Sequence, residues 1–152
     1  MRRSAILIGL LMITSCYAWQ AINMEQYIKE SQAQLTEESL KLQEKLDARL
    51  PVSSKATAGK VENRKLTLVN FSNAVFIIGD DAASYLWLQA NAKKLEEAQA
   101  LGFVANISNS KHFQALQQLT TAPLLPANVD DLMELFQEIH YPLGFFGEEL
   151  WQ

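Results

Sequence analysis

The stretch Ala74-Val75-Phe76-Ile77-Ile78-Gly79-Asp80-Asp81 decides the fold. A continuous apolar run that ends in a glycine and two aspartates has the form of a strand buried on both faces and running into the start of a helix. The spacing predicts that helix over Ala82 to Leu101, with Tyr85, Leu88, Ala92 and Leu95 on one face and Gly102 just past its end as a C-terminal stop. A second buried strand is expected at Phe103 to Ile107. Further on, Asn109 or Ser110 can cap a helix whose inward face is Phe113, Leu116 and Leu119, and Pro123 and Pro126 bracket a turn or short extended piece.

The last helix carries the plainest signals. Asn128 stands as its cap, Asp130 and Asp131 occupy the first turn where the macrodipole favours anions, and Leu132, Leu135, Phe136 and Ile139 follow helical spacing. His140 is expected at its C-terminal end. Tyr141-Pro142 then forces the backbone out of helix, and Leu143 to Phe146 reads as a final strand. Strand, helix, strand, helix, helix, strand defines an α/β fold with a small sheet flanked by helices.

Upstream of the deciding stretch, Lys65 to Asn70 is short and β-prone, and Val52 to Asn63 reads as a Ser/Ala/Gly linker or extended cover strand. Pro51 stops a long helix that covers about Met24 to Arg49, dense in Glu, Gln, Lys and Leu and free of Gly and Pro. Ile28, Leu35, Leu42 and Leu46 trace a narrow stripe along it. Ser31, Glu38 and Lys45 fill positions that a coiled-coil seam would want apolar, so the helix reads as a spacer or a helix lying against the domain, with a partner-binding role as the sharper alternative.

The chain begins MRRSAILIGLLMITSCYAWQ. Arg2 and Arg3 precede an apolar run from Ser4 to Thr14, too short for the ~20 residues of a bilayer span and long enough for the core of an export signal. Two exits are written there. Ile13-Thr14-Ser15-Cys16 resembles a bacterial lipobox, which would acylate Cys16; Cys16-Tyr17-Ala18 offers small residues to an ordinary signal peptidase, which would release a chain starting at Trp19. The expected organisation is therefore a signal peptide at 1–18 (or a lipoprotein signal at 1–15), a helical stalk at 19–50 and a domain at 51–152.

Composition narrows the chemistry. Cys16 is the only cysteine, so the mature body has no disulfide, thiol nucleophile or thiolate metal site. Loss of Arg2 and Arg3 leaves 11 of the 13 basic residues against 17 acidic ones, which disfavours a nucleic-acid partner. His112 and His140 are the only histidines, and neither has the i, i+4 partner of a helical zinc site. Ser84 lacks the glycine-flanked elbow of a serine nucleophile. Asp80 and Asp81, at the carboxyl end of a buried strand, could hold Mg²⁺ or serve a carboxylate-using enzyme. The further aspartate and lysine of a response-regulator receiver are missing, because the second strand ends in Asn106-Ile107-Ser108. One of the two aspartates capping the next helix, at about 1 kcal/mol, is the simpler reading.

Phe76-Ile77-Ile78-Gly79-Asp80-Asp81, Ser84 and Trp87-Leu88, with His140-Tyr141-Pro142 near the end, resemble an uncharacterised family encoded in integrating conjugative elements. That resemblance covers about Pro51 to the C-terminus. It implies an exported protein that works beside a type IV secretion apparatus. The chain departs from the family after Pro142, where Leu143-Gly144-Phe145-Phe146 includes a glycine. A more distant resemblance, helix then His140-Tyr141-Pro142 then strand, is to thioredoxin-like proteins, including pilus-assembly proteins of conjugation systems. It implies a cis Pro142, a geometry that X-Pro bonds adopt only about 5% of the time. It also puts Asp81-Ala82-Ala83-Ser84 where a Cys-x-x-Cys pair would stand, so no redox chemistry is implied. What the resemblance leaves is a protein-binding groove formed by Asp80, Asp81, Ser84, Trp87, His140, Tyr141 and Pro142. The expectation is thus a periplasmic, non-enzymatic protein without cofactor, metal or small-molecule substrate, whose partners are other proteins of the conjugation apparatus. It would touch the membrane only through a lipid on Cys16.

Overall fold

The computed structural model describes residues 24–69 and 71–152. The expected export signal, Cys16 with the acylation or peptidase cleavage expected there, and the first residues of the expected stalk lie outside the described residues. Helix α1 spans Met24–Asp47. Its part up to Glu37 falls in one compact unit and the rest in a second, Glu38–Gln152. Ile28 and Leu35 are exposed in the first unit. In the second, Leu42 is exposed, while Leu46 and Leu50 pack on the core. No described helix is long and apolar enough to cross a membrane.

The second unit contains β1 (Thr57–Ala58), β2 (Arg64–Lys65), β3 (Val75–Ile78), α2 (Ala82–Glu97), β4 (Leu101–Val104), α3 (Ser110–Gln117), β5 (Leu124–Pro126), α4 (Asp130–Phe136), β6 (His140–Tyr141), β7 (Leu143–Phe146) and β8 (Glu149–Trp151). The main sheet has the order β2-β8-β7-β3-β4-β5, with β3, β4 and β5 parallel and the β7-β8 hairpin antiparallel to β3. All four β3 residues are buried, which explains the unbroken apolar run. Phe76 and Ile78 face the cluster built by Trp87, Leu88, Leu95, Phe113 and Leu116 of α2 and α3. Val75 and Ile77 face Met133 and Phe136 of α4 on the other side. The result is a mixed α/β unit with helices on both faces of a mixed sheet.

Several boundaries differ from the sequence reading, each for a local reason. Helix α2 stops at Ala98 because Gln99 turns left-handed (φ 50°), and Gly102 lies inside β4 instead of capping the helix. There a Cβ would run into the Phe76 ring and Leu124, so close packing explains this glycine. Strand β4 accordingly begins at Leu101, and Ile107 keeps only an isolated bridge to Val52. Helix α4 ends early, at Phe136, because Gln137 is left-handed (φ 53°) and Glu138 Oε1 accepts from the Ile139 and His140 N–H groups. Ile139, expected on the inward face, is exposed, and His140 begins β6. Val129 holds the cap position of α4, while Asn128 Oδ1 accepts from the Asp130 N–H at 2.9 Å.

One element of the main sheet was not expected at all. Strand β8 closes a two-residue hairpin with β7, whose loop residues Gly147 (φ 58°) and Glu148 (φ 66°) both have the positive φ of a type I′ turn. Of the expected strand at Lys65 to Asn70, only Arg64–Lys65 pairs, against β8, and Asn70 lies outside the described residues. The Leu50–Pro51 and Tyr141–Pro142 peptides are cis.

Candidate functional site

The carboxyl ends of β3 and β4 gather most of the polar side chains singled out in the sequence. Asp81 caps α2: its Oδ1 accepts from the Ser84 N–H at 3.0 Å, and its Oδ2 accepts from the Ser84 hydroxyl at 2.8 Å. That hydroxyl in turn accepts from the Gly79 N–H at 2.9 Å. Ser84 is fully buried. Its oxygen is held on two sides, so it is a locking residue of the strand-to-helix turn and has no free lone pair aimed at solvent.

Asp80 points elsewhere. Its Oδ2 lies 2.5 Å from His112 Nδ1, and its Oδ1 accepts from the Tyr85 hydroxyl at 3.4 Å. Burial pushes the Tyr85 phenol above its ordinary range, and the charge of Asp80 adds to the rise. The sequence reading set His112 aside for want of a helical partner; the partner comes from another element, 32 residues away. Only Asn109, which caps α3 through the His112 N–H and so orients its first turn, hinted at where that histidine stands.

Asn106 is the second residue missed. Its Oδ1 accepts from the Ser54 N–H at 2.7 Å, and its Nδ2 donates to Ala56 O at 2.8 Å and to the Tyr141 hydroxyl at 3.1 Å. Burial raises the Tyr141 phenol, the Asn106 hydrogen bond lowers it, and the charges of Asp81 and Asp80 raise it further. Gly79 packs on the ring of Tyr141 with no room for a Cβ. Strand β7 runs beside β3, so Tyr141 and Pro142 sit next to the Gly79–Ser84 turn.

Of the residues expected to line a groove, Asp81, Ser84 and Tyr141 meet around Gly79 with Asp80 and Pro142 beside them, Trp87 lies in the core on the other face of the sheet, and the set is largely closed off. Ser84, Trp87, Tyr141 and Pro142 are buried; Asp80, Asp81 and His140 are half-buried. Trp87 belongs to the core, tilted between Phe76 and Trp151, and its buried Nε1 has no hydrogen-bond partner. The backbone edge beside Pro142 is covered by the chain itself: β1 pairs parallel with β6, Thr57 opposite His140 and Ala58 opposite Tyr141. The covering segment is anchored after that pair by the Val61 N–H, which donates to Gln152 Oε1, and before it by three residues. Val52 and Ile107 exchange backbone bonds, Asn128 Nδ2 donates to Ser53 O, and Ser54 Oγ accepts from the Val129 N–H. The run read as a linker or cover strand is thus a strap across the strand ends, and a shallow cavity of about 300 Å³ remains between Pro51–Ser53, Asp80 and Asn106–Ser108.

No group of three or more His, Cys, Asp or Glu side chains suited to a metal ion occurs among the described residues. Asp80 and Asp81, the expected carboxylate pair, diverge: one meets a histidine, the other a serine and a helix terminus. By fold and site this is a mixed α/β domain with a strapped, internally bonded cluster at its strand ends. The chain belongs to the family described as Protein of unknown function (DUF2859), which matches residues 13–145. No curated protein and no solved structure matches it.

Proposed function

We infer that this protein is an exported, non-enzymatic component of a conjugative type IV secretion system, working in the periplasm through contacts with other proteins of that apparatus. What supports the non-enzymatic part is that the two adjacent carboxylates diverge and that Asp81 and Ser84 are taken up by the turn itself. Asp81 and Ser84 bond to each other and to the turn they stabilise, and Asp80 is bound to His112. The secretion context rests on the family resemblance of Phe76–Asp81 and His140–Pro142, and the N-terminal signal supports export. A thioredoxin-like reading without the cysteine pair is supported by the order α4, His140, Tyr141, Pro142, β7 and by the contact of Tyr141 with Gly79, ahead of Asp81–Ser84.

The test is the transfer frequency of the host element from a donor carrying an in-frame deletion of the gene. Loss of transfer, restored by wild type and equally by Asp80→Asn, supports the reading. Unchanged transfer overturns the secretion context; failure of a folded Asp80→Asn protein overturns the non-enzymatic part. A Mg²⁺ or Ca²⁺ titration that raised the melting temperature would favour the competing reading, a metal or carboxylate site at Asp80 and Asp81.

A further inference from the structure

The strap that covers β6 differs from the rest of the domain in what holds it. Thr57 and Ala58 are both exposed, and β1 and β6 form a two-stranded sheet separate from the six-stranded one. Between the Ser54 anchor and buried Val61, only Ala56 buries its side chain. Apart from the Thr57 hydroxyl beside His140, the four residues 56–59 are otherwise attached through backbone groups that any extended chain would carry. The Thr57 N–H donates to Ile139 O at 3.0 Å and the Gly59 N–H to Tyr141 O at 2.9 Å. On the carbonyl side, Ala56 O accepts from Asn106 Nδ2 and Gly59 O accepts from Gln152 Nε2, both at 2.8 Å. An edge occupied this way is a strand-docking surface already carrying an occupant.

We propose that β6 is the protein-contact edge of this domain, that residues 56–59 fill it in cis, and that its partner is an extended segment of another protein, laid parallel to β6, which displaces them. The geometry of the resident segment specifies the newcomer. At the position of Ala56 the side chain must be small, because that site is buried. At the position of Thr57 a hydroxyl is favoured, since Thr57 Oγ1 lies 3.1 Å from His140 Nδ1. The next position, Ala58, is exposed and takes any residue. At the position of Gly59 only glycine fits, because a Cβ would come 2.5 Å from His140 Nδ1. The partner therefore carries small, Thr or Ser, any residue, Gly, in that order. Residues 56–59 lift between the anchors at Val52–Ser54 and Val61, and the small first residue of the newcomer takes the core place that Ala56 leaves.

This proposal rests on the reading of the protein as one that acts by protein contacts, but its test needs no conjugation. The probe is a synthetic peptide of residues 56–59 blocked at both ends, with a second peptide carrying valine in place of the glycine as control, titrated into the purified full chain and its Gly59→Val variant. Gly59→Val forces the resident segment off His140 and removes the competition, so it is expected to bind the glycine peptide at least about tenfold more tightly than wild type does, with the valine peptide inert on both. Amide exchange gives an independent reading on wild type alone: Thr57 and Gly59 N–H groups should exchange far faster than those of Phe103 and Val104 in β4. Exchange of all four at one rate would mean that the strap leaves only on global unfolding, and would overturn the proposal. So would a folded Gly59→Val protein that has lost protection at Thr57 yet binds no peptide. Loss of the secretion context by the transfer assay, with peptide binding intact, would remove the biological setting and leave the docking edge standing.

Discussion

Replacing Asp81 with alanine tests the turn that closes the strand ends. The substitution removes the cap of α2, a loss of about 1 kcal/mol, because the Ser84 N–H no longer has its 3.0 Å acceptor. It also strips the Ser84 hydroxyl of its 2.8 Å acceptor in a fully buried place, and a buried donor without a partner costs about 1–3 kcal/mol. Together the loss is about 2–4 kcal/mol, a large share of the roughly 5–15 kcal/mol that holds such a domain. Urea unfolding followed by tryptophan fluorescence reads it, since Trp87 in the core lies 5.1 Å from the tilted ring of half-buried Trp151. With a slope of about 2 kcal/mol/M, the midpoint should fall by about 1–2 M. Ser84→Ala separately leaves the buried Gly79 N–H without its acceptor. The double variant should lose less than the sum of the two singles by about 1 kcal/mol, because both break the same Asp81–Ser84 bond. An Asp81→Ala loss below about 0.5 kcal/mol, or strict additivity, would mean that water replaces the carboxylate and that the turn is not locked as described.

Gly102→Ala should cost about 1–3 kcal/mol by thermal unfolding, because its Cβ meets the Phe76 ring and Leu124 in a packed core. Gln137→Gly should gain about 0.5–1 kcal/mol, since glycine relieves the left-handed conformation at φ 53° and the Gln137 side chain is exposed. Glu138 is half-buried, and burial alone would raise its carboxyl; the Ile139 N–H, Arg64 and the His140 N–H outweigh that and hold it below its ordinary 4.5. A depressed folded pKa stabilises above the unfolded value, so stability should fall as pH drops below about 4.5, and this acid dependence should be shallower in Arg64→Ala. The Tyr141 phenol is raised by burial above 10.0, so the fold favours its neutral form; stability should decline as pH rises past that value, and less so in Tyr141→Phe once its lower baseline is subtracted.

What the sequence made legible is what local physics alone determines. The unbroken apolar run at Val75–Ile78 could only be a strand covered on both faces, and Asp81 and Asn109 are caps whose side chains act within three residues of themselves. Where two rules competed, the nearest glycine or proline misled: Gly102 suggested a helix stop that Gln99 supplies, and the spacing through Ile139 suggested a helix that Gln137 ends. A left-handed glutamine leaves no signature, because its conformation is imposed by the packing that follows it. The site was hidden for a related reason. Asn106, read only as the absence of an aspartate, bonds Ser54 and Ala56, some fifty positions earlier, and His112 finds Asp80 across two elements. A run such as Ser53-Ser54-Lys55-Ala56-Thr57-Ala58-Gly59 has the composition of a linker because it buries almost nothing. That property lets it lie across the strand ends mostly through its backbone groups, and it is also the property that a replaceable strand requires. The segment least informative about the fold is thus the one on which the proposed function turns.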